Sequence, residues 1–181
     1  MATQDRRQRE RAARHALILR TARELAEAEG WEAVTTRRLA EQVEYSQPVL
    51  YSHFAGKDAI VAAVALDGFA ELAAALHKAD DRRAVATIYL EFAREHPALY
   101  DAMFSAPTSL VFATDSTPEA LRNAFAELRR VVGGDETHTE VFWSALHGLA
   151  TLERGRRLRP DHAAQRLTTL IEALTPRNAS T

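Results

Sequence analysis

Gln47, Val49, Tyr51 and Ser52 fall within six residues of one another, and each type has a use at the edge of a DNA base pair. A glutamine amide can pair bidentately with adenine N6 and N7, and a valine can touch a thymine methyl. A tyrosine or serine hydroxyl can reach a groove edge or a phosphate. Such side chains read bases only if a short rigid element carries them into the major groove. The stretch from Thr35 to Lys57, TTRRLAEQVEYSQPVLYSHFAGK, is suited to be that element. Thr35 or Thr36 can cap a first short helix, whose Leu39, Ala40 and Val43 fall at helical spacing and face inward. Ser46 can cap a second, with Pro48 in its first turn, where a missing N–H costs nothing. Leu50 and Phe54, four apart, point inward together; Pro48 and Ser52 lie opposite, flanked by Val49 and Tyr51. Arg37 offers a further cation for phosphate, and Thr36 stands where a helix start presents free N–H groups to one. This is the layout of a helix-turn-helix. On periodicity alone, a surface helical hairpin in any all-α protein fits as well.

Helices this short need neighbours to hold them. Arg11 to Glu29 is predicted to be a long amphipathic helix with Leu17, Ile18, Ala22, Leu25 and Ala26 as its inner stripe, stopped by Gly30. Trp31 and Val34 would pack beneath the pair, completing a three-helix head. Residues 1 to about 9 are charged and lack apolar periodicity. They read either as a frayed tail or as an arm that strengthens DNA binding.

Downstream, Asp58 to about Lys78 is predicted as one helix with apolar residues on several sides, able to join head to body. Asp80 to Arg83 is a polar hinge. Arg83 to Glu95 follows, with Val85, Ile88, Tyr89 and Phe92 inward, and His96-Pro97 breaks it. Ala98 to Phe104 is short and apolar, Pro107 to Thr117 irregular. Pro118 opens a helix through Val132 that Gly133-Gly134 ends. Glu136 to Arg154 carries one stripe of Phe142, Ala145, Leu146, Leu149 and Leu152 and a second of Trp143, His147 and Ala150. Gly155 ends it, and Arg156, Arg157 and Arg159 form a solvated loop. Pro160 to Leu174 is the last helix, with Ala163, Leu167, Leu170, Ile171 and Leu174 inward, and residues 175 to 181 are a polar tail.

The composition agrees with an all-α protein: 181 residues, 46% hydrophobic, with 7 glycines and 6 prolines. There is no cysteine, hence no disulfide framework or thiolate metal site. No apolar run reaches the roughly 18 residues that span a membrane, and the charged N-terminus lacks a following apolar core. A cytoplasmic protein without membrane attachment is the expectation. The net charge of −2 conceals an imbalance: Arg6, Arg7, Arg9, Arg11, Arg14 and Arg20 oppose only Asp5 and Glu10 in the first twenty residues. Phosphate contact needs a local cationic surface, not a basic chain.

Gly30, Thr35, Leu39-Ala40, Ser46, Leu50-Tyr51, His53-Phe54 and Lys57 resemble, in order and spacing, the N-terminal signature of the tetracycline-repressor (TetR) family of bacterial transcriptional regulators. Glu44-Tyr45 departs from it, since many members carry glycine or a smaller residue in that turn. The runs YLEFAREHPALYDAMF (Tyr89 to Phe104) and WSALHGLATLERG (Trp143 to Gly155) resemble a C-terminal domain type of the same family, named for its Trp, His and Gly, here Trp143, His147 and Gly148. The resemblance implies a DNA-binding domain over residues 1–57 and a ligand-binding and dimerisation domain over 58–181. It would place base contacts on Gln47, Pro48, Val49 and Tyr51 and backbone contacts on Thr36, His53 and Lys57. It also implies a homodimer on a palindromic duplex operator, and a small, largely apolar effector held in the body. Phe69, Tyr89, Phe92, Tyr100, Met103, Phe104, Phe125, Trp143 and His147 are the candidates to line that site, although each also fits an ordinary aromatic core, and His147 fits a structural role beside Trp143 and Gly148. The helices Glu136–Arg154 and Pro160–Leu174 carry more apolar stripe than one small body needs, and two such pairs would make a four-helix bundle across a dyad.

Enzymatic chemistry finds no footing. There is no GxSxG, HExxH, P-loop or GxGxxG pattern. The seven histidines are scattered without ligand spacing, so no catalytic residue, metal or cofactor is expected. The competing function is a helical partner-binding protein whose head does not read DNA.

Overall fold

The computed structural model describes residues 2–105, 110–112 and 114–175. Residues 107–109 and 113 of the irregular stretch, and 176–181 of the tail, lie outside the described residues. Among the described residues every regular element is helical: α1 Ala2–Glu29, a 3₁₀ turn Trp31–Ala33, α2 Thr36–Gln42, α3 Gln47–Tyr51, α4 Lys57–Leu76, α5 Arg82–Glu95, α6 Pro97–Phe104, α7 Glu119–Val132, α8 Glu136–Arg154, a 3₁₀ turn Pro160–His162 and α9 Ala163–Ala173. The chain divides into two compact units. One takes the described residues of Met1–Gly68 and His96–Ser116, the other those of Phe69–Glu95 and Thr117–Thr181. The unit that holds the helix-turn-helix thus also takes in the first part of α4 and all of α6.

In the first unit, α1 buries Ile18, Leu19, Ala22, Leu25 and Ala26; Leu17 is only half-buried. Gly30, at φ 84°, turns the chain out of the helix. The Thr35 hydroxyl accepts the Arg38 amide at 3.1 Å and so caps α2. Ser46 occupies the cap position of α3 but makes no side-chain cap bond; its carbonyl accepts the Val49 and Leu50 amides at 3.0 and 3.2 Å. Val34, Leu39 and Leu50 are fully buried, and Phe54 nearly so. The turn between α2 and α3 puts Glu44 at φ 56°. It keeps the left-handed geometry that glycine would adopt without strain.

Two of the helices, α1 and α4, differ from the sequence expectation. First, α1 starts at Ala2 rather than near Arg11. Arginine, glutamine, alanine and glutamate are strong helix formers, and a helix nucleated further along propagates at little cost. Arg6–Glu10 at 3.4 Å and Arg14–Glu10 at 3.7 Å brace the extension. Second, α4 is by length and composition able to cross a membrane. Its Ile60, Val61, Val64, Ala65, Phe69, Leu72 and Leu76 are buried within the fold instead.

α6 is fastened to its unit by polar contacts. The Glu27 carboxylate accepts the Ala98 and Leu99 amides, both at 3.0 Å, and the Trp31 indole donates to the Ala98 carbonyl at 2.7 Å. Gly68 of α4 lies so close to α6 that a Cβ there would meet Leu99 and Met103 at 2.8 Å.

The second unit packs α5, α7, α8 and α9. Its core comprises Val85, Tyr89, Phe92, Leu121, Leu128, Val132, Phe142, Leu146 and Ala150. Asp81 caps α5 through the Ala84 amide at 2.7 Å. Arg130 reaches the carbonyls of Leu76, His77 and Ala79 at 3.0–3.3 Å, closing the C-terminal end of α4. The predicted inward stripe of α9 is not a core: none of the residues of α9 is buried, and Leu167, Leu170 and Ile171 remain half-exposed. On α8, Leu152 lies out of the core at 38% exposure.

Candidate nucleic-acid interface

Burial of Leu50 and Phe54 on one side of α3 forces its other side out. Gln47, Pro48, Tyr51 and Ser52 are exposed and Val49 is half-buried. Tyr51 is the most exposed large hydrophobic side chain among the described residues, at 51%. Its hydroxyl lies 3.4 Å from that of Thr36, so the start of α2 and the end of α3 meet at one polar point.

The remaining candidates are more constrained. The Arg37 guanidinium donates to Glu41 at 3.0 Å on the same helix and stays exposed. The Ser52 hydroxyl donates back to the Val49 carbonyl at 2.6 Å, which leaves its lone pairs rather than its proton for another group. Lys57 is half-buried and donates to the Trp31 carbonyl at 2.7 Å, so its ammonium also stitches α4 to the turn after α1. His53 is half-buried, and its Nδ1 is buried without a hydrogen-bond partner. Burial, then the positive charges of Arg11, His15 and Arg14, lower its pKa.

A contact that motif spacing does not reveal sits beside these residues. Arg11, at the expected start of the long amphipathic helix, places its guanidinium 3.4 Å from the Ser52 carbonyl. One turn on, the His15 ring stacks on Phe54 with centroids 4.4 Å apart. The signal was present in the cationic run Arg6–Arg14, which carries no apolar pattern to tie it to α3. Arg38 and Glu29 form a two-pronged ion pair at 2.8 and 2.5 Å that ties α2 to α1. Each lowers the energy of the other's charged form, so the Glu29 pKa is lowered and that of Arg38 raised.

The residues suggested for an effector fall in both units. Tyr100 and Met103 are buried in the first, where the rings of Tyr100 and Phe104 stand 4.7 Å apart. In the second unit, Phe69, Tyr89 and Phe92 are buried, and Phe125, Trp143 and His147 are half-buried. The Trp143 indole donates to the Tyr89 hydroxyl at 3.0 Å, and Phe125 meets Trp143 edge-on at 6.3 Å. His147 has its pKa lowered by burial and then by Arg154. No cluster of three or more metal-ligating side chains occurs among the described residues.

Residues 18–64 match the family model for bacterial regulatory proteins of the tetR family. Residues 82–174, more than half of the chain, match that for the tetracyclin repressor-like C-terminal domain. The chain is similar to the class C tetracycline repressor protein of Escherichia coli, at 50% identity over 48 residues, 26% of this chain and 22% of that protein. It is also similar to an uncharacterised HTH-type transcriptional regulator of Mycobacterium tuberculosis, at 29% identity over 142 residues, 69% of this chain and 63% of that one. It therefore spans less than two thirds of the length of either relative. Among solved structures, the multidrug binding protein EbrR, complexed with imidazole, superposes with a TM-score of 0.63 at 22% identity, over 92% of this chain and 97% of that one. A helix-turn-helix, followed by a body in which every described regular element is helical, and a family match to both parts make this chain a transcriptional regulator of the TetR family.

Proposed function

We propose that the protein is a repressor that binds a palindromic operator as a homodimer and lets go when a small, largely apolar molecule occupies its body. The observation that carries the DNA half of this reading is the outer face of α3. Gln47 and Tyr51 stand exposed over the buried Leu50 and Phe54, on the five-residue second helix of the motif, the element that a helix-turn-helix lays in the major groove. Thr36, Arg37, His53 and Lys57 flank that face and would hold the sugar-phosphate backbone. In this division residues 1–57 read DNA and residues 58–181 bind the effector and the second copy.

One head buries too little for tight specific binding. Two heads related by a dyad would meet successive major grooves. The half-exposed apolar residues of α9, with Val141 and Leu152 of α8 at 47% and 38% exposure, support pairing through these helices. An open groove of about 590 Å³ between them, lined by Ala145, Leu149 and Leu170 and by the polar His162, Gln165, Arg166 and Thr169, offers relief for a partner to fill. For the effector, the support is the grouping of Tyr89, Phe125 and Trp143 in the second unit and the fold shared with the multidrug binding protein EbrR. A ligand that prefers one conformation of the dimer shifts the equilibrium by its differential affinity. A cytoplasmic location and the absence of catalysis follow from this role.

The test is anisotropy of labelled DNA flanking the protein's own gene, and of duplexes selected from random sequence, at two salt concentrations. Tight, sequence-dependent binding that weakens with salt is expected. Equal, weak binding to every duplex after selection would sink the reading and favour a head that serves a protein partner.

A further inference from the structure

Residues 4–14 of α1 form a helix with no apolar side to bury. All of them are exposed, the first fully buried residue of α1 being Ile18. They also lie outside the segment matched by the family model, which begins at residue 18. A helix that is polar all round needs a reason to persist. Here it is built from strong helix formers, braced by the Glu10 ion pairs to Arg6 and Arg14, and continuous with the packed part of α1.

The charge of this segment is one-sided. Five arginines oppose Asp5 and Glu10, in a chain whose net charge is −2. Glu10 engages Arg6 and Arg14, whereas Arg7 and Arg9 have no ion-pair partner among the described residues. Arg7, Arg11 and Arg14 recur at i, i+4 and i+7 and so share a face. The direction of that face is set at Arg11, whose guanidinium lies 3.4 Å from the carbonyl of Ser52, the C-terminal cap of α3. The stripe therefore passes α3 at Arg11 and spans about 10 Å in all, at 1.5 Å per residue, from Arg7 on one side of that contact to Arg14 on the other. A DNA strand presents a phosphate about every 3.4 Å of axis, so a cationic stripe of this length spans several. A basic helix without aromatic or large apolar side chains has nothing with which to enter a lipid surface.

We propose that residues 4–14 are a preformed basic arm that grips the phosphate backbone of duplex DNA beside the half-site met by α3, enlarging the footprint without adding sequence preference. The arm rests on the DNA-binding reading above. It separates two kinds of affinity: base readout by α3, and salt-sensitive anchoring by Arg7, Arg11 and Arg14.

The experiment compares wild-type protein with the triple variant Arg7→Gln/Arg11→Gln/Arg14→Gln, with the corresponding triple lysine variant, and with Gln47→Ala/Tyr51→Ala. Binding to the selected duplex and to an unrelated duplex is followed by anisotropy from 50 to 300 mM salt, with circular dichroism as a check on the fold. The glutamine triple is expected to bind both duplexes more weakly by a similar factor. Its log–log salt slope should be shallower by up to about 3 per head, and the lysine triple should restore most of it. The Gln47/Tyr51 variant should instead lose the preference for the selected duplex and keep the slope. A glutamine triple with unchanged affinity and slope would overturn the arm while leaving the repressor reading intact. Loss confined to the selected duplex would also overturn it, by showing that Arg11 merely positions α3. If wild-type protein binds no duplex, the function proposed above fails and the arm fails with it.

Discussion

The hydroxyl oxygens of Thr36 and Tyr51 stand 3.4 Å apart, joining the first turn of α2 to the last turn of α3 at the surface. The contact is long and exposed, so its contribution to folding is small. Its value lies in setting the direction of the Tyr51 ring. Tyr51→Phe is expected to leave the unfolding free energy within about 0.5 kcal/mol of wild type. Tyr51→Ala removes the ring as well, and should cost operator binding about 1–3 kcal/mol, as should Gln47→Ala. Titration of both variants against the selected duplex checks this; equal affinity of wild type and Tyr51→Ala would remove Tyr51 from the interface.

Glu27 plays a different part. Its carboxylate accepts two backbone amides at the start of α6, on the same helix whose His15 stacks on Phe54 below α3. Charged acceptors on orphan helix amides are stronger than neutral ones. Glu27→Ala should lower stability by about 1–2 kcal/mol, with Glu27→Gln recovering part of it, as read by urea unfolding. If α6, which carries Tyr100, Met103 and Phe104, relays effector binding to the head, Glu27→Ala should also weaken the response of DNA binding to effector. A variant as stable as wild type would show that water replaces the cap at no cost.

The parts of the fold written in local chemistry were legible. Thr35 caps α2, Gly30 ends α1, and Leu39, Leu50 and Phe54 turn inward, because hydroxyl, glycine and i, i+4 spacing each act within one turn of helix. What the spacing does not encode is long-range reach. Lys57 bends back to Trp31 across 26 positions, Arg11 finds Ser52 across 41, and Glu27 caps a helix 71 residues away. Periodicity also marks a stripe as apolar without saying whether the same chain covers it. The outward face of α9 is the case in point, since its leucines follow helical spacing yet none is buried. The segment before Arg11 escapes periodicity for a related reason: helix propensity and ion pairs hold it helical where no apolar pattern advertises a helix.

Acid should loosen the protein through His53 and His147. Both have a folded-state pKa below the ordinary histidine value, chiefly through burial. The unfolded chain, at about 6.5, therefore binds more protons than the native one as pH falls through that value. The stabilising contribution is complete above about pH 6.5 and is lost as pH falls from there toward the lowered folded value. Urea midpoints measured from pH 7.5 to 5.5 should decline, and His53→Gln and His147→Gln should each flatten the decline. A phosphate beside His53 would favour its charged form, so DNA binding, in contrast to folding, should strengthen as pH is lowered from 7.5 to 6.5. No change in operator affinity over that interval would argue against a phosphate at His53.

The proposed dimer makes the sharpest demand on α9. Leu167, Leu170 and Ile171 are half-exposed, whereas the core beneath is held by Phe142 and Leu146, which are fully buried. Leu170→Glu should therefore leave the subunit folded and attack only an interface. A stable dimer buries on the order of 1,600 Å², and a charge set at the middle of such a surface costs at least about 2 kcal/mol when it cannot be paired. Light scattering after size exclusion should show wild type at twice the mass of the chain and Leu170→Glu shifted toward a single copy at micromolar concentration, with helical circular dichroism retained. Because two heads would share one operator in the proposed dimer, the same variant should lose tight operator binding while keeping the weak, salt-sensitive association of a single head. A wild-type protein that is already monomeric at that concentration would remove α8 and α9 as the basis for pairing, and the proposed palindromic operator with them.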